Sequence, residues 1–318
     1  PARAQRAHPA GVLSEPTAPP PTTVALGAGF ASPRQFNQTV RDVFASTPTE
    51  MRRRASRTRA STPGAVSLRL PFRRPLAADA LMAFLARRGV RGLEVGDGSH
   101  HRRTMALPHG GGTVALRPEV DHVRATLRLD DVRDLTAAVE RCRRLLDLDA
   151  DPEAIDERLG GHSTLGPLVA ARPGLRIPGA TDPFEVAVRT VVGQQVSVAA
   201  ARTTTATLVA RFGEPLATPH DGLTHRFPTP DALAAADPRT LGMPAARGRT
   251  VVTLATAVAD GTVRLDPGVT PDEARASLTA LPGVGPWTAS LVALRGRGDP
   301  DEFLPTDLGV LRGMAAGG

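Results

Sequence analysis

The chain has 318 residues and a formal net charge of +7, and every one of its 39 basic residues is an arginine. The lack of lysine excludes mechanisms that need a Schiff-base lysine or the lysine of a P-loop. The single cysteine, Cys142, excludes an intrachain disulfide, a four-cysteine zinc site and a cysteine-ligated iron–sulfur cluster. No apolar run approaches membrane-spanning length and no signal peptide is recognisable, so we expect a cytoplasmic protein of two or three domains without membrane contact.

Positive charge is concentrated at the N-terminal end of the chain. The first 60 residues hold nine arginines against three acidic residues, a balance of +6 that leaves only +1 for the other 258 residues. Residues 1–22 are rich in proline and alanine, which predicts a disordered segment. A basic arm beside a nearly neutral body favours electrostatic contact with nucleic acid, although a solvated linker would have the same composition.

Residues 23–57 are predicted to form a short helix, a turn at 27–29 and a second helix that begins at Ser32-Pro33. This segment resembles the second helix-turn-helix of AraC-type regulators, including those fused to alkylation-repair proteins as in Ada-like proteins. Such regulators use two helix-turn-helix units, and the first one is not found here. Arg34 and Arg41 on the second helix are candidate DNA contacts. Residues 58–65 are interpreted as a linker.

Residues 66–150 are predicted to form a small α+β domain. Alternation of apolar and polar residues indicates strands at 66–72, 112–118 and 123–129. Helical periodicity indicates an amphipathic helix over 75–89 and a long helix over 131–148. In the first of these helices, Leu81, Phe84 and Leu85 are expected to face inward. Strands packed against two helices give the α+β class.

Residues 151–318 are predicted to form an all-α domain, with no convincing strand after Asp182. The helices are expected at 183–192, 197–212, 230–236, 245–260, 271–280 and 287–295. A hairpin, Leu281-Pro282-Gly283-Val284-Gly285, separates the last two. Its glycines permit positive φ and close approach of a ligand, and N–H groups at the next helix start could hold a phosphate. An ordinary tight helix connection is the alternative.

A further motif makes this arrangement specific. Leu304-Pro305-Thr306-Asp307 precedes a helix start, and Asp307 follows Trp287 by twenty residues. The hairpin, the tryptophan and Pro-Thr-Asp together resemble the signature of the helix-hairpin-helix DNA glycosylases. Around it, DPFEVAVRTVVGQQVSVAAA and FPTPDALAAADP are similar to the AlkA-type 3-methyladenine DNA glycosylase II family. The resemblance covers about residues 66–312.

The resemblance implies a monofunctional enzyme that flips an alkylated purine out of double-stranded DNA and hydrolyses its N-glycosidic bond. Asp307 is the candidate catalytic carboxylate, because a negative charge would stabilise the cation that develops on the sugar. The alternative is that Asp307 only caps its helix. Without lysine, no lysine imine can form to cut the strand.

The remaining candidate contacts follow from the same resemblance. The candidate DNA-binding residues of this domain are Gly283, Val284, Gly285, Gln194 and Gln195. The backbone N–H groups of the hairpin would hold phosphates, and Gln195 would be the wedge that fills the space left by the flipped base, or alternatively only a helix cap.

Four residues are candidates for the base pocket. Trp287 and Phe84 match the pocket aromatic residues of the family, where cation–π attraction to an alkylated base is worth about 0.5–2 kcal/mol. Either could instead be an ordinary core residue. Leu291 and Leu308 occupy positions where the family often has aromatic residues, and the chain has no tyrosine. A less aromatic pocket and an altered substrate range are therefore expected.

The expected partner is double-stranded DNA with alkylated bases, bound by a monomer. No cofactor or metal is expected, except that a monovalent cation could bind the backbone carbonyls of the hairpin. Only eleven residues follow Asp307, whereas the family normally continues with further helices, so both ends of the chain are expected to be clipped. One alternative function is a transcriptional regulator of the alkylation response with an inactive or incomplete glycosylase domain. Another is a hairpin module that binds DNA without chemistry.

Overall fold

The computed structural model describes residue 34, residues 65–266 and residues 268–317. The segment predicted to be disordered, most of the helix-turn-helix and Arg41 lie outside these residues, whereas Arg34 is helical and exposed. The described chain forms two compact units, one of residues 65–72 with 105–143 and one of residues 73–104 with 144–317. Within these ranges, no helix combines the length and the hydropathy needed to cross a membrane.

The first unit contains antiparallel strands at the three places where alternation predicted them. They are β1 (Ala65–Pro71), β4 (Gly110–Pro118) and β5 (His122–Leu129), and β5 lies between the other two. Leu116 and Ala125 are paired and fully buried, because one face of the sheet is apolar. The helix predicted over 131–148 is a 3₁₀ turn (Val132–Asp134) followed by α2 (Leu135–Leu145), in which Cys142 is buried.

Two strands were not predicted from the sequence. Strand β2 (Glu94–Gly96) pairs antiparallel with the first residues of β3 (His101–Leu107), with Glu94 opposite Arg103. The run HHRRTMAL contains mainly charged and polar residues, which normally indicate an exposed segment. Here Arg103 is only 2% exposed, because buried carboxylates neutralise its charge.

The second unit is mainly helical. Its helices are α1 (Ala78–Arg88), α3 (Pro152–Gly160), α4 (Leu165–Ala171), α5 (Pro183–Gly193), α6 (Val198–Phe212), α7 (Pro230–Ala234), α8 (Ala245–Ala259), α9 (Pro271–Thr279), α10 (Pro286–Leu291), a π-helical turn (Val292–Arg297) and α11 (Leu308–Gly317). Helices α3 and α4 were not predicted. Helix α5 lies at the centre of the core, where Val188 and Val191 are fully buried.

Capping residues set the starts of these helices. Asp182 begins α5 by accepting hydrogen bonds from the backbone N–H groups of Phe184 and Glu185. Thr270 and Glu273 form a capping box at the start of α9, the helix that precedes the hairpin. These local interactions explain why sequence patterns located the helix starts so closely.

The expectation that no strand follows Asp182 is wrong for residues 215–225. Strands β6 (Pro215–His220) and β7 (Leu223–His225) form a hairpin there. Asp221 and Gly222 form its two-residue turn with φ of 51° and 83°. Asp-Gly is a favoured pair for such turns, so the signal was present in the sequence, although two prolines interrupted the strand pattern.

Candidate active site

Asp307 stands at the start of α11 and uses both of its carboxylate oxygens. Oδ1 accepts hydrogen bonds from the backbone N–H groups of Gly309 at 2.8 Å and Val310 at 3.2 Å. Oδ2 accepts a hydrogen bond from the indole Nε1 of Trp287 at 3.1 Å. The capping hydrogen bonds use only Oδ1, so the cap by itself does not exclude the catalytic role predicted from the sequence, which stays a prediction.

Trp287 lies in the first turn of α10 and is half-buried rather than enclosed in the core. Its indole N–H is directed at the carboxylate of Asp307, so this edge of the ring faces Oδ2. Leu291, one turn further along, is half-buried, and Leu308 is 66% exposed at the surface of the described chain. Of the four predicted pocket residues, Trp287 is thus the one that a hydrogen bond joins to Asp307.

Phe84 is also half-buried, and two arginine guanidinium groups lie over its ring. The guanidinium carbon of Arg88 lies 4.0 Å from the ring centroid and that of Arg295 lies 5.0 Å from it. The Nε of Arg295 donates to the backbone oxygen of Pro178 at 2.7 Å. Burial, followed by the charges of Arg189 and Arg88, lowers the pKa of Arg295 to about 10. A cationic base would compete with these arginines for Phe84.

Arg88 brings a positive charge into electrostatic range of the candidate carboxylate. Burial lowers the pKa of Arg88, and the charges of Arg87 and Arg189 act in the same direction. The carboxylate of Asp307 acts in the opposite direction. The arginine pair on Phe84 was not predicted from the sequence, although the spacing of Phe84 and Arg88 by one helical turn was visible there.

The two glycines of the hairpin differ in backbone conformation and in the space around them. Gly283 has φ of 85°, as predicted, and a methyl group there would overlap the Thr250 side chain. Gly285 has φ of −91°, so the expectation of positive φ is wrong at this position. A Cβ at Gly285 would meet no atom within 4 Å. Gly285 is therefore open on the outside, whereas Gly283 is required by the packing inside.

The three hairpin N–H groups are not equally available. Val284 is buried, and its N–H donates to the backbone oxygen of Leu281 at 3.1 Å. Among the described residues, no hydrogen bond engages the N–H groups of Gly283 and Gly285. An anion at this hairpin would therefore be held by the two glycines and not by Val284.

The two glutamines of the loop after α5 have different surroundings. Gln194 is the C-cap residue, and its side-chain Nε2 donates to Gly283 O at 3.1 Å and to Thr288 Oγ1 at 3.2 Å. Gln195 is exposed, with φ of 56°. The helix-cap alternative considered for Gln195 thus belongs to Gln194, and Gln195 is left to face outward.

A buried ion network fixes the end of α1, which carries Phe84 and Arg88. Arg103 donates to Glu94 at 3.0 Å and also to Glu185, and Arg189 donates to both carboxylates. Arg189 further donates to the backbone oxygen of Arg88 at 2.8 Å. Burial would raise the pKa of Glu94, but the charges of Arg189 and Arg103 outweigh it and hold that pKa at about 2.

The described residues contain no group of three or more His, Cys, Asp or Glu side chains placed to hold a metal ion. A monovalent cation at the hairpin carbonyls stays a prediction. One of those carbonyls, Gly283 O, already accepts the hydrogen bond from Gln194.

Comparison with known proteins identifies both halves of the chain. Residues 67–182 match the AlkA N-terminal domain, and residues 188–316 match the HhH-GPD superfamily of base excision DNA repair proteins. The chain is 51% identical over 313 residues to a probable bifunctional transcriptional activator/DNA repair enzyme AlkA of Mycobacterium tuberculosis. This match covers 97% of the chain but 63% of the length of that relative.

A second curated relative is matched over most of its length. The chain is 38% identical over 234 residues to DNA-3-methyladenine glycosylase 2 of Escherichia coli, covering 71% of this chain and 79% of the relative. Among solved structures, the 3-methyladenine DNA glycosylase from Archaeoglobus fulgidus has the same fold, with a TM-score of 0.68 at 24% identity. That match covers 78% of this chain and 85% of the other. The resemblance of residues 66–312 to the AlkA-type glycosylases is therefore confirmed, whereas the helix-turn-helix resemblance of residues 23–57 stays a prediction.

Proposed function

Because the chain belongs to the AlkA family of helix-hairpin-helix DNA repair glycosylases, we propose that it excises alkylated purines of the 3-methyladenine type from double-stranded DNA. The observation that carries this proposal is the hydrogen bond from Trp287 to Asp307, which joins an aromatic ring to a fixed carboxylate. The protein acts as a monomer. It spans 63% of the length of the Mycobacterium tuberculosis relative, so the proposal concerns this chain and not that whole protein.

The chemistry assigned to Asp307 is electrostatic. A purine alkylated at a ring nitrogen is already positively charged, so it leaves readily and needs little protonation. The difficulty lies at the sugar, which acquires oxocarbenium character as the bond breaks. Three N–H donors hold the Asp307 carboxylate in a single orientation before the reaction begins. A charge that is already oriented stabilises the developing cation without the cost of reorganisation.

Trp287 is the better candidate for the face that receives the base. Its ring is oriented by the bond to Asp307, so a base stacked on it would bring its sugar close to the carboxylate. Phe84, by contrast, is engaged by Arg88 and Arg295. A cationic base at Phe84 would meet the positive charges of both arginines. We therefore assign the alkylated base to Trp287 and not to Phe84.

DNA binding is assigned to the hairpin and the loop beside it. The free N–H groups of Gly283 and Gly285 would hold phosphates without reading sequence, and Gln195 would enter the base stack. Arg34 and Arg41 stay candidate contacts of the N-terminal arm. Because the chain contains no lysine, base release would leave an intact strand at an abasic site.

The direct test is release of bases from methylated duplex DNA. Incubation with the full chain should release 3-methyladenine, measured by chromatography, and should leave abasic sites that hot alkali cleaves. Strand breaks before the alkali treatment would contradict the monofunctional assignment. Binding to the same duplex with no release of any base would favour a module that binds DNA without chemistry.

A second function, activation of transcription in the alkylation response, is favoured by the helix-turn-helix resemblance of residues 23–57. The Mycobacterium tuberculosis relative is named as a probable transcriptional activator as well as a repair enzyme. Binding that selects one promoter sequence over random duplex of equal length would support this function. Equal affinity for both duplexes would oppose it.

Duplex binding is expected to weaken steeply with salt and to depend little on sequence, because N–H groups and arginines face phosphates. Deleting residues 1–64 removes nine arginines and should make the salt dependence shallower. Fluorescence anisotropy between 50 and 200 mM salt, about the range over which phosphate contacts dominate, measures both slopes. Base release at saturating enzyme should be unaffected, and loss of release would place part of the catalytic machinery in the deleted arm.

Substitutions at the two glycines of the hairpin distinguish an effect on DNA binding from an effect on folding. Gly285→Thr places a favoured N-cap residue at a position where an added Cβ meets no atom within 4 Å, so the thermal midpoint should not change. Its side chain would occupy the space where a phosphate approaches, and duplex affinity should fall by about ten-fold or more, as for loss of a charge-assisted hydrogen bond.

Two further variants control for this result. Gly160→Thr adds the same side chain at another open position and should leave affinity unchanged. Gly283→Thr should lower the thermal midpoint, because it combines positive φ with overlap of Thr250. Normal duplex affinity in Gly285→Thr would show that the hairpin is only a connection between helices.

A further inference from the structure

Gln194 joins the loop after α5 to the hairpin through its side-chain amide. Its Nε2 carries two hydrogens, and both are donated, one to Gly283 O at 3.1 Å and one to Thr288 Oγ1 at 3.2 Å. Its backbone oxygen accepts from the guanidinium of Arg247 in α8 at 2.7 Å. One residue therefore connects the loop with the hairpin, with α10 and with α8.

The neighbouring residue is held in an uncommon conformation. Gln195 has φ of 56°, in the left-handed region, where a residue with a side chain costs about 1–2 kcal/mol. Such a conformation persists when its neighbours hold it in place. Gln194 is fixed on one side, and on the other Ser197 caps α6 by accepting from the backbone N–H of Ala200. As a result the side chain of Gln195 is exposed, next to Val196 and Val198, which are 40% and 49% exposed.

The hydrogen bond to Gly283 is close to the N–H groups assigned to phosphate binding. Gly283 O lies on the residue whose own N–H is one of the two free donors of the hairpin. Any movement of the loop relative to the hairpin would break this bond. The distance from the phosphate contact to Gln195 is therefore constrained by two directional hydrogen bonds, of 3.1 and 3.2 Å, in addition to the chain of the loop.

We propose that Gln194 is a positioning residue that couples phosphate binding at the hairpin to entry of Gln195 into the base stack. When the hairpin seats on the phosphates, the amide of Gln194 carries the loop with it, so Gln195 lies where a base would leave the duplex. This proposal rests on the proposed function, since a wedge has a purpose only in an enzyme that extrudes a base.

A glutamine suits this role for a geometric reason. Glutamate has the same shape but no hydrogen to donate, and its charge would face the carbonyl oxygen of Gly283. Asparagine is shorter by one methylene and would not reach both acceptors. Gln194→Glu is therefore the variant that keeps the volume of the side chain and removes the coupling.

The experiment compares two duplexes that differ in how firmly the target base is held. One contains a single alkylated purine paired with its normal partner, and the other contains the same purine opposite an abasic-site analogue. Extrusion is easier from the second duplex, because no base pair has to be opened. Single-turnover release is measured on both with the full chain, with Gln194→Glu and with Thr279→Val.

Gln194→Glu should slow release from the paired duplex by about ten-fold, as expected for two lost hydrogen bonds, and from the unpaired duplex by less than about three-fold. A loss of affinity or of thermal stability in this variant would slow release from both duplexes alike, so the difference between the two duplexes measures the coupling. Thr279→Val removes a hydrogen bond of the hydroxyl to Arg275 O at 2.9 Å, beside the hairpin but without a link to the loop, and should alter neither rate. Equal slowing on both duplexes, or no slowing on either, would overturn the coupling.

A second readout does not depend on catalysis. Fluorescence of 2-aminopurine at the target position increases when that base leaves the stack, even where no bond is cleaved. If the full chain extrudes 2-aminopurine but releases no alkylated base, the proposed function fails while Gln194 can still be tested. A loss of the fluorescence increase in Gln194→Glu would then support the coupling, and an unchanged increase would overturn it.

Discussion

Asp307→Asn is expected to slow release of 3-methyladenine from methylated duplex DNA by about two to three orders of magnitude. Loss of one preorganised electrostatic group typically costs about 3–4 kcal/mol in the transition state, and each 1.4 kcal/mol, roughly, is a factor of ten. Asparagine keeps an oxygen that can accept from Gly309 and Val310, so the start of α11 should survive. Single-turnover kinetics on methylated duplex measure the effect.

The hydrogen bond from Trp287 requires its own control. If the amide oxygen introduced by Asp307→Asn caps the helix, the amide NH₂ group faces the indole N–H, and this contact is lost together with the charge. Trp287→Phe removes the same N–H donor but leaves Asp307 charged. We expect it to slow release by about ten-fold, the effect of one hydrogen bond to a charged group together with a smaller ring.

The two variants distinguish charge from contact. A much larger loss in Asp307→Asn than in Trp287→Phe would identify the negative charge as the main contribution, whereas equal losses would assign Asp307 a role in orienting the ring. Asp307→Asn should bind an abasic-site analogue with the same affinity as the unchanged chain. Borohydride should trap no lysine imine in either protein, because no lysine is present. If Asp307→Asn releases the base at a near-normal rate, Asp307 only caps its helix and is not the catalytic carboxylate.

Arg103→Met is expected to be the most destabilising change, by about 3–5 kcal/mol, the usual cost of removing one member of a buried ion network. Arg103 and Arg189 balance the charges of Glu94 and Glu185, and the Arg103 side chain is only 2% exposed. Methionine fills a similar volume but leaves the buried carboxylates of Glu94 and Glu185 paired with the guanidinium of Arg189 alone. Thermal unfolding at neutral pH measures the change.

A surface ion pair provides the matched control. Arg69 lies 3.0 Å from Asp121, with side chains 46% and 62% exposed. Arg69→Met makes the same substitution where water screens both charges, so the midpoint should move far less. An equally small shift in Arg103→Met would show that the apolar packing of methionine offsets the lost ion pairs.

The network should also appear in acid unfolding. The pKa of Glu94 is held at about 2, below its ordinary value of 4.5. A carboxylate with a depressed pKa contributes stability that is present above about pH 4.5 and is lost as the pH falls toward 2. Arg103→Met removes one of the charges that depress this pKa, so acid unfolding should begin at higher pH than in the unchanged chain.

Local sequence patterns predicted the elements that local interactions form. Capping at Asp182 and Thr270, the alternation of β1, β4 and β5, and positive φ at Gly283 each depend on residues a few positions apart. The motif that spaces Trp287 twenty residues before Asp307 predicted the family, which the comparisons confirm. The twenty-residue spacing by itself does not tell which atoms meet.

The tertiary structure decided what depends on residues far apart in the chain. Arg103 is buried because Glu185, 82 residues away, neutralises it, so a strand that is polar by composition lies inside. The guanidinium of Arg295 lies 5.0 Å from the ring centroid of Phe84, a contact between residues far apart in the chain that local patterns do not show.

The same reasoning applies to the loop and the hairpin. Gln194 hydrogen-bonds to Gly283, which lies 89 residues further along the chain. Gly285 has a negative φ of −91°, whereas Gly283, two residues earlier, has a positive φ of 85°. Composition and periodicity describe each residue by its own polarity and its near neighbours. Buried charges, shared aromatic faces and side-chain hydrogen bonds between loops depend instead on which distant groups the fold brings within about 3–5 Å, where their interaction exceeds the cost of losing water.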